Sequence, residues 1–127
     1  MNSRRDIDGG TRNRLARLWK GLEPAQSDLS LPQLLTLIAI AVEPGLSVSE
    51  LAERLTFPQQ TASRHVAALL GRYQTSAAIP ESDNGGRSKL DALIVQEINH
   101  SDPRSRALFL SQHGYALLNK MISKIHG

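Results

Sequence analysis

The chain has 127 residues, 40% of them hydrophobic, enough for one domain with its own core. It contains no cysteine, which excludes a disulfide framework and any thiolate metal site. A net charge of +3 suits a polyanionic partner without demanding one.

Charge is unevenly placed along the chain. Arg4, Arg5, Arg12, Arg14, Arg17 and Lys20 crowd the N-terminus against Asp6 and Asp8, while Glu43, Glu50 and Glu53 follow later. A helix is expected over 11–22, packing through Leu15, Leu18, Trp19 and Leu22. Its cations form either a solvated face or an arm for DNA. Residues 1–29 thus make a basic tail and first helix. The opening residues lack the apolar core of a secretory signal. The longest apolar run, 34–42, is interrupted by Thr36 and falls short of the roughly 18 residues needed to span a bilayer. These two observations imply a cytoplasmic location. The run reads as a buried helix over 31–43, opened by Ser30 and Pro32 and closed by Pro44-Gly45.

Residues 46–70 carry the plan of a helix-turn-helix. Ser47 with Glu50 makes a capping box, in which each side chain satisfies an orphan backbone N–H. Val48, Leu51, Ala52 and Leu55 then share one apolar face. Thr56-Phe57-Pro58 breaks the pattern, because a proline is tolerated only at the start of the next helix. Pro58 has no capping side chain, so Thr56 is the candidate cap. In the second helix Ala62, Val66, Leu69 and Leu70 form the buried stripe. Its N-terminal half presents Gln59, Gln60, Thr61, Ser63, Arg64 and His65, with no carboxylate among them. Gln can pair in bidentate fashion with adenine and Arg with guanine, while Ser or Thr can reach phosphate. Gln59, Gln60, Ser63 and Arg64 are the candidates for base contacts. Thr61 and His65 are candidates for the DNA backbone.

After Leu70 the pattern weakens. Pro80, Gly85 and Gly86, among Ser76, Ser82, Asp83 and Asn84, mark 71–92 as a solvated loop, in which Arg87 and Lys89 could touch outlying phosphates. Two β-rich runs, 93–99 and 106–110, then flank a polar turn at Ser101, Asp102 and Pro103, as in a hairpin. Its tip carries His100, Arg104 and Arg106, and such cations can follow the backbone or enter a narrow minor groove. A closing helix is expected from Gln112 to Ile125. It presents Leu117, Leu118, Met121, Ile122 and Ile125, an apolar face either packed on the 34–42 helix or shared with a second subunit.

Two motifs in this region resemble the MarR family of bacterial transcriptional regulators. The family's wing signature, Asp-x-Arg followed by Leu-Thr-x-x-Gly, is matched by Asp102-Pro103-Arg104 and by Leu110-Ser111-Gln112-His113-Gly114, with Ser replacing Thr. The family's recognition-helix pattern is similar to Thr61-Ala62-Ser63-Arg64. The likeness covers about residues 30–126. It departs at Pro58, in the long stretch 71–92, and in a single C-terminal helix where typical members have two. The resemblance implies that Asp102 orients Arg104 in the wing. It also implies a homodimer that binds an inverted-repeat operator in duplex DNA and represses by occlusion. A small phenolic or anionic effector would sit between dimer helices and reader, although no pocket is legible here.

The expected fold is mainly α with a small antiparallel β-hairpin (α+β), a winged helix-turn-helix over 30–111 with its wing at 93–111. Residues 112–127 form a C-terminal helix available for dimerisation. No catalytic, cofactor or metal site is expected. His65, His100, His113 and His126 are scattered without helical ligand spacing, and no nucleophile set or Gly-rich phosphate loop occurs. A protein-interaction module is the competing reading, because winged helices are reused as adaptors. A single-strand binder is disfavoured, since Phe57, Tyr73, Phe109 and Tyr115 form no stacking platform.

Overall fold

The computed structural model describes residues 6–26, 29–71 and 92–126. Arg4, Arg5 and the residues 72–91 of the expected loop, with Arg87 and Lys89, lie outside these residues. The order is α1 (Gly9–Leu22), a 3-10 turn (Glu23–Ala25), α2 (Leu31–Val42), α3 (Val48–Leu55), α4 (Gln59–Leu69), β1 (Ile94–Ile98), β2 (Arg106–Leu110) and α5 (Gln112–His126). This is the expected winged helix-turn-helix, mostly helical with one antiparallel hairpin.

Local capping explains most helix starts. The Ser30 hydroxyl accepts from Gln33 N–H while the Gln33 amide oxygen accepts from Ser30 N–H, so α2 opens on a reciprocal box. Ser47 and Glu50 do the same for α3. Thr36 fits the apolar run because its hydroxyl donates to Pro32 O at 2.8 Å, so that buried group is satisfied. The first helix starts two residues earlier than expected, at Gly9, because the Asp8 carboxylate accepts from Thr11 N–H.

Thr56 does not cap α4. It closes α3 instead, in the left-handed region at φ 55°, with its N–H directed to Ala52 O and Glu53 O. A β-branched residue is unusual there, and the tight reversal between the two helices imposes it. Pro58 stands at the N-cap of α4 without a side-chain hydrogen bond, and its carbonyl accepts from Ala62 N–H at 3.0 Å.

One core ties reader and wing together. Leu37 and Ile40 of α2, Leu46, Leu51 of α3, Val66 and Leu69 of α4, Ile94 of β1 and Leu108 of β2 form a single buried cluster. The hairpin is in register from Ile94 opposite Leu110 to Ile98 opposite Arg106. Leu108 also exchanges hydrogen bonds with the turn before α3, donating to Leu46 O and accepting from Gly45 N–H, so that turn lies beside β2 like a short third strand. The Leu-Ser-x-x-Gly part of the signature is the joint between wing and α5. Ser111 donates to Ala92 O at 2.6 Å and accepts from Gly114 N–H at 3.0 Å, which caps the helix. A side chain at Gly114 would run into Leu93 O, so the glycine is a packing requirement.

The packing of α1 departs from expectation. Leu15, Leu18, Trp19 and Leu22 do not seat it, and all four are exposed, Trp19 at 68%. The helix lies on α5 instead, where Gly21 is buried beneath Ile125 and a larger residue would force the Ile125 side chain to move. Met121 of α5 is buried with Ala25 and Leu34, and Leu117 and Leu118 pack around them, so part of the α5 face rests on α2. Ile122 stays exposed at 51%. Among the described residues no helix is long and apolar enough to cross a membrane.

Candidate nucleic-acid interface

The buried side of α4 is Ala62, Val66 and Leu69. Helical geometry therefore turns Gln59, Gln60, Ser63 and Arg64 outward together, spaced i, i+1, i+4 and i+5, and all four are exposed. Thr61 is half-buried at the edge of this face. No acid occurs between Phe57 and Gly71, so nothing on the helix repels a phosphate. His65 is half-buried, and its ring stands 5.5 Å from that of Phe57 in a tilted arrangement. That contact packs the imidazole against the turn between α3 and α4.

Two contacts set the posture of the reader. Ser49 of α3 donates through its hydroxyl to Gln59 Oε1 at 3.3 Å. Arg54, at the end of α3, forks onto the Glu43 carboxylate at 2.7 and 3.0 Å and ties the helix to the end of α2. That hydrogen-bonded pairing lowers the Glu43 pKa and raises that of Arg54. Neither contact was legible from spacing, because each joins residues ten or eleven positions apart across a turn.

The wing tip, 99–105, is built by its own backbone. The Asn99 side chain accepts from Ser101 N–H, Asn99 O accepts from Asp102 N–H, and Asp102 O accepts from Ser105 N–H. The Asp102 carboxylate accepts from the main-chain N–H of Arg104 at 3.3 Å. Asp102 thus orders the turn that carries Arg104, through the backbone of that residue. The Arg106 guanidinium curls onto Pro103 O at 3.1 Å. His100, Arg104 and Arg106 are all exposed. On α1, Arg12, Arg14, Arg17 and Lys20 are exposed as well, with Arg12 donating to Ile7 O. Among the described residues no three His, Asp or Glu side chains gather as metal ligands would.

An open cleft of about 370 Å³ lies between α1 and α2, lined by Trp19, Leu22, Leu29, Leu31 and Leu34 with Glu23 and Ser30 at its polar margin. Of the exposed apolar residues of α1, Trp19 and Leu22 border it.

Two helices folded across a tight turn, on a core shared with an antiparallel hairpin, define a winged helix-turn-helix fold. Part of the chain is similar to the MarR family, whose model matches residues 27–72, spanning α2, α3, α4 and the turns between them. The fold extends the match beyond that segment. The S. aureus MepR–DNA complex superposes with a TM-score of 0.63 at 19% identity, covering 91% of this chain and 78% of that one. The transcriptional repressor CouR, bound to a 23-mer DNA duplex, gives 0.60 at 20% identity over 96% and 80%. PcaV of Streptomyces coelicolor, in complex with its natural ligand, gives 0.56 at 20% identity over 97% and 79%. Identities this low establish a shared fold. A sequence comparison with curated proteins gives no match.

Proposed function

We propose that this protein is a transcriptional regulator that binds duplex DNA sequence-specifically as a homodimer and represses by covering a promoter. The observation that carries the reading is the exposed, acid-free face of α4, on a core that α4 shares with the hairpin whose tip carries Arg104. Gln59, Gln60, Ser63 and Arg64 would meet base edges, and Thr61, Arg104 and Arg106 the backbone or minor groove. His65, the remaining candidate for the backbone, has its ring packed against Phe57. Two similar folds are described with DNA bound, which favours the same use here.

The exposed apolar arc of α1 and Ile122 of α5 supply a surface for the second copy. Twofold pairing would set two α4 helices about 34 Å apart, in successive major grooves. The cleft beside Trp19 offers a place for a small effector, as a ligand-bound relative of the fold suggests. Such a protein works in the cytoplasm, on the nucleoid.

Selection from a randomised duplex pool at two salt concentrations tests the reading. Enrichment of an inverted repeat is expected. Retention of unenriched DNA that is lost as salt rises would contradict it and favour an adaptor with only charge-driven affinity.

A further inference from the structure

Gln59 is the first residue of α4 and is exposed. A free glutamine there samples many rotamers, and a half-turn of its last torsion exchanges donor and acceptor, so alone it makes a poor reader. Ser49 removes that freedom by donating to Gln59 Oε1. The serine is itself held in place. It is the second residue of α3, whose start is pinned by the Ser47–Glu50 box, and Leu51 and Ala52 just beyond it are buried. The Glu50 carboxylate is held toward the start of α3, where it accepts from Ser47 N–H at 2.9 Å.

With Oε1 engaged, the Nε2 donor pair is the part of the amide most available to a base. Donors select acceptor edges in the major groove, purine N7 foremost. We infer that Ser49 is a positioning residue that fixes the Gln59 amide and thereby sets the base preference at the position Gln59 reads. This rests on the proposed role of α4 in reading DNA. An alanine at 49 keeps the fold, since the site is exposed and alanine is the best helix former.

The test uses the full chain and the duplex recovered by selection, with each base pair varied in turn, and compares wild type with S49A, S49T, Q59A and the S49A/Q59A double variant by fluorescence anisotropy. Q59A identifies the position read. S49A is expected to lower discrimination at that same position about two- to tenfold, the range of one neutral hydrogen bond. S49T, which keeps the hydroxyl, restores it, and S49A adds nothing in the Q59A background. Wild-type discrimination in S49A overturns the inference, as does an equal loss with Gln59 already removed. If wild type selects no preferred duplex, the reading of α4 fails before any variant is measured, and the inference falls with it.

Discussion

The reader and the α1–α5 flank use amphipathic helices to opposite ends. In the reader, α3 and α4 bury Leu51, Ala52, Ala62, Val66 and Leu69, pack Val48, Leu55 and Leu70 half-buried against the same core, and fully expose only polar side chains. In the flank, α1 buries Gly21 and leaves Leu15, Leu18, Trp19 and Leu22 outside. A stripe of that spacing is the mark of a face made for burial. The monomer is therefore finished where it would meet DNA and unfinished where it would meet a second copy. Stability of the reader and assembly of the protein become separable properties, resting on different residues.

Four substitutions test this separation, in descending order of effect. Leu51→Ala empties the shared core of the reader and should cost about 2–5 kcal/mol in chemical denaturation. A loss below about 1 kcal/mol would mean that the core is not closed within one chain. Trp19→Asp should leave folding intact and weaken self-association by about 2 kcal/mol or more, as loss of a central aromatic anchor does. An unchanged sedimentation profile would remove α1 from the interface.

Arg64→Ala should cost about 1–3 kcal/mol on the selected duplex and relax preference at one base pair, with neither folding nor assembly affected. An equal loss on random DNA would make Arg64 a phosphate contact. The smallest effect belongs to Glu43→Gln, which breaks the fork with Arg54. Both partners are about half exposed, so the shift in unfolding midpoint is small and salt-sensitive. Its sign follows from the lowered Glu43 pKa in the folded state. The carboxylate stabilises above the ordinary glutamate pKa, and that contribution disappears as pH falls through the folded value. The variant should thus differ from wild type at neutral pH and converge with it in acid, whereas a gap that persisted in acid would point to packing.

The sequence spoke clearly wherever a residue answers to neighbours three or four positions away. The Ser47–Glu50 box, the stripes of α3 and α4 and the turn at Ser101–Pro103 are such local agreements, and each marked its element. The outward face of Gln59, Gln60, Ser63 and Arg64 followed from the same periodicity. Local signals could mislead too. Thr56 looked like a cap for the helix after it, but the reversal between α3 and α4 needs a left-handed residue, and the chain bends there. The α1 stripe was visible, but periodicity shows that a face is apolar and not which chain covers it. Gly21 gave no sign of being the true seat of α1, because that role depends on Ile125 more than a hundred residues on. Gly114 belonged to a recognisable signature, yet only the position of Leu93 O shows why nothing larger fits. The Ser49–Gln59 contact has no sequence signal at all, since it is made across the turn.

Sedimentation velocity of a labelled duplex tests the central claim most directly, comparing the full inverted repeat with a single half-site. Two chains on the full site, with only weak occupancy of the half-site, are predicted, because the proposed dimer would join two readers through the α1–α5 flank. One chain bound to the full site, with affinity equal to that on the half-site, would contradict the account.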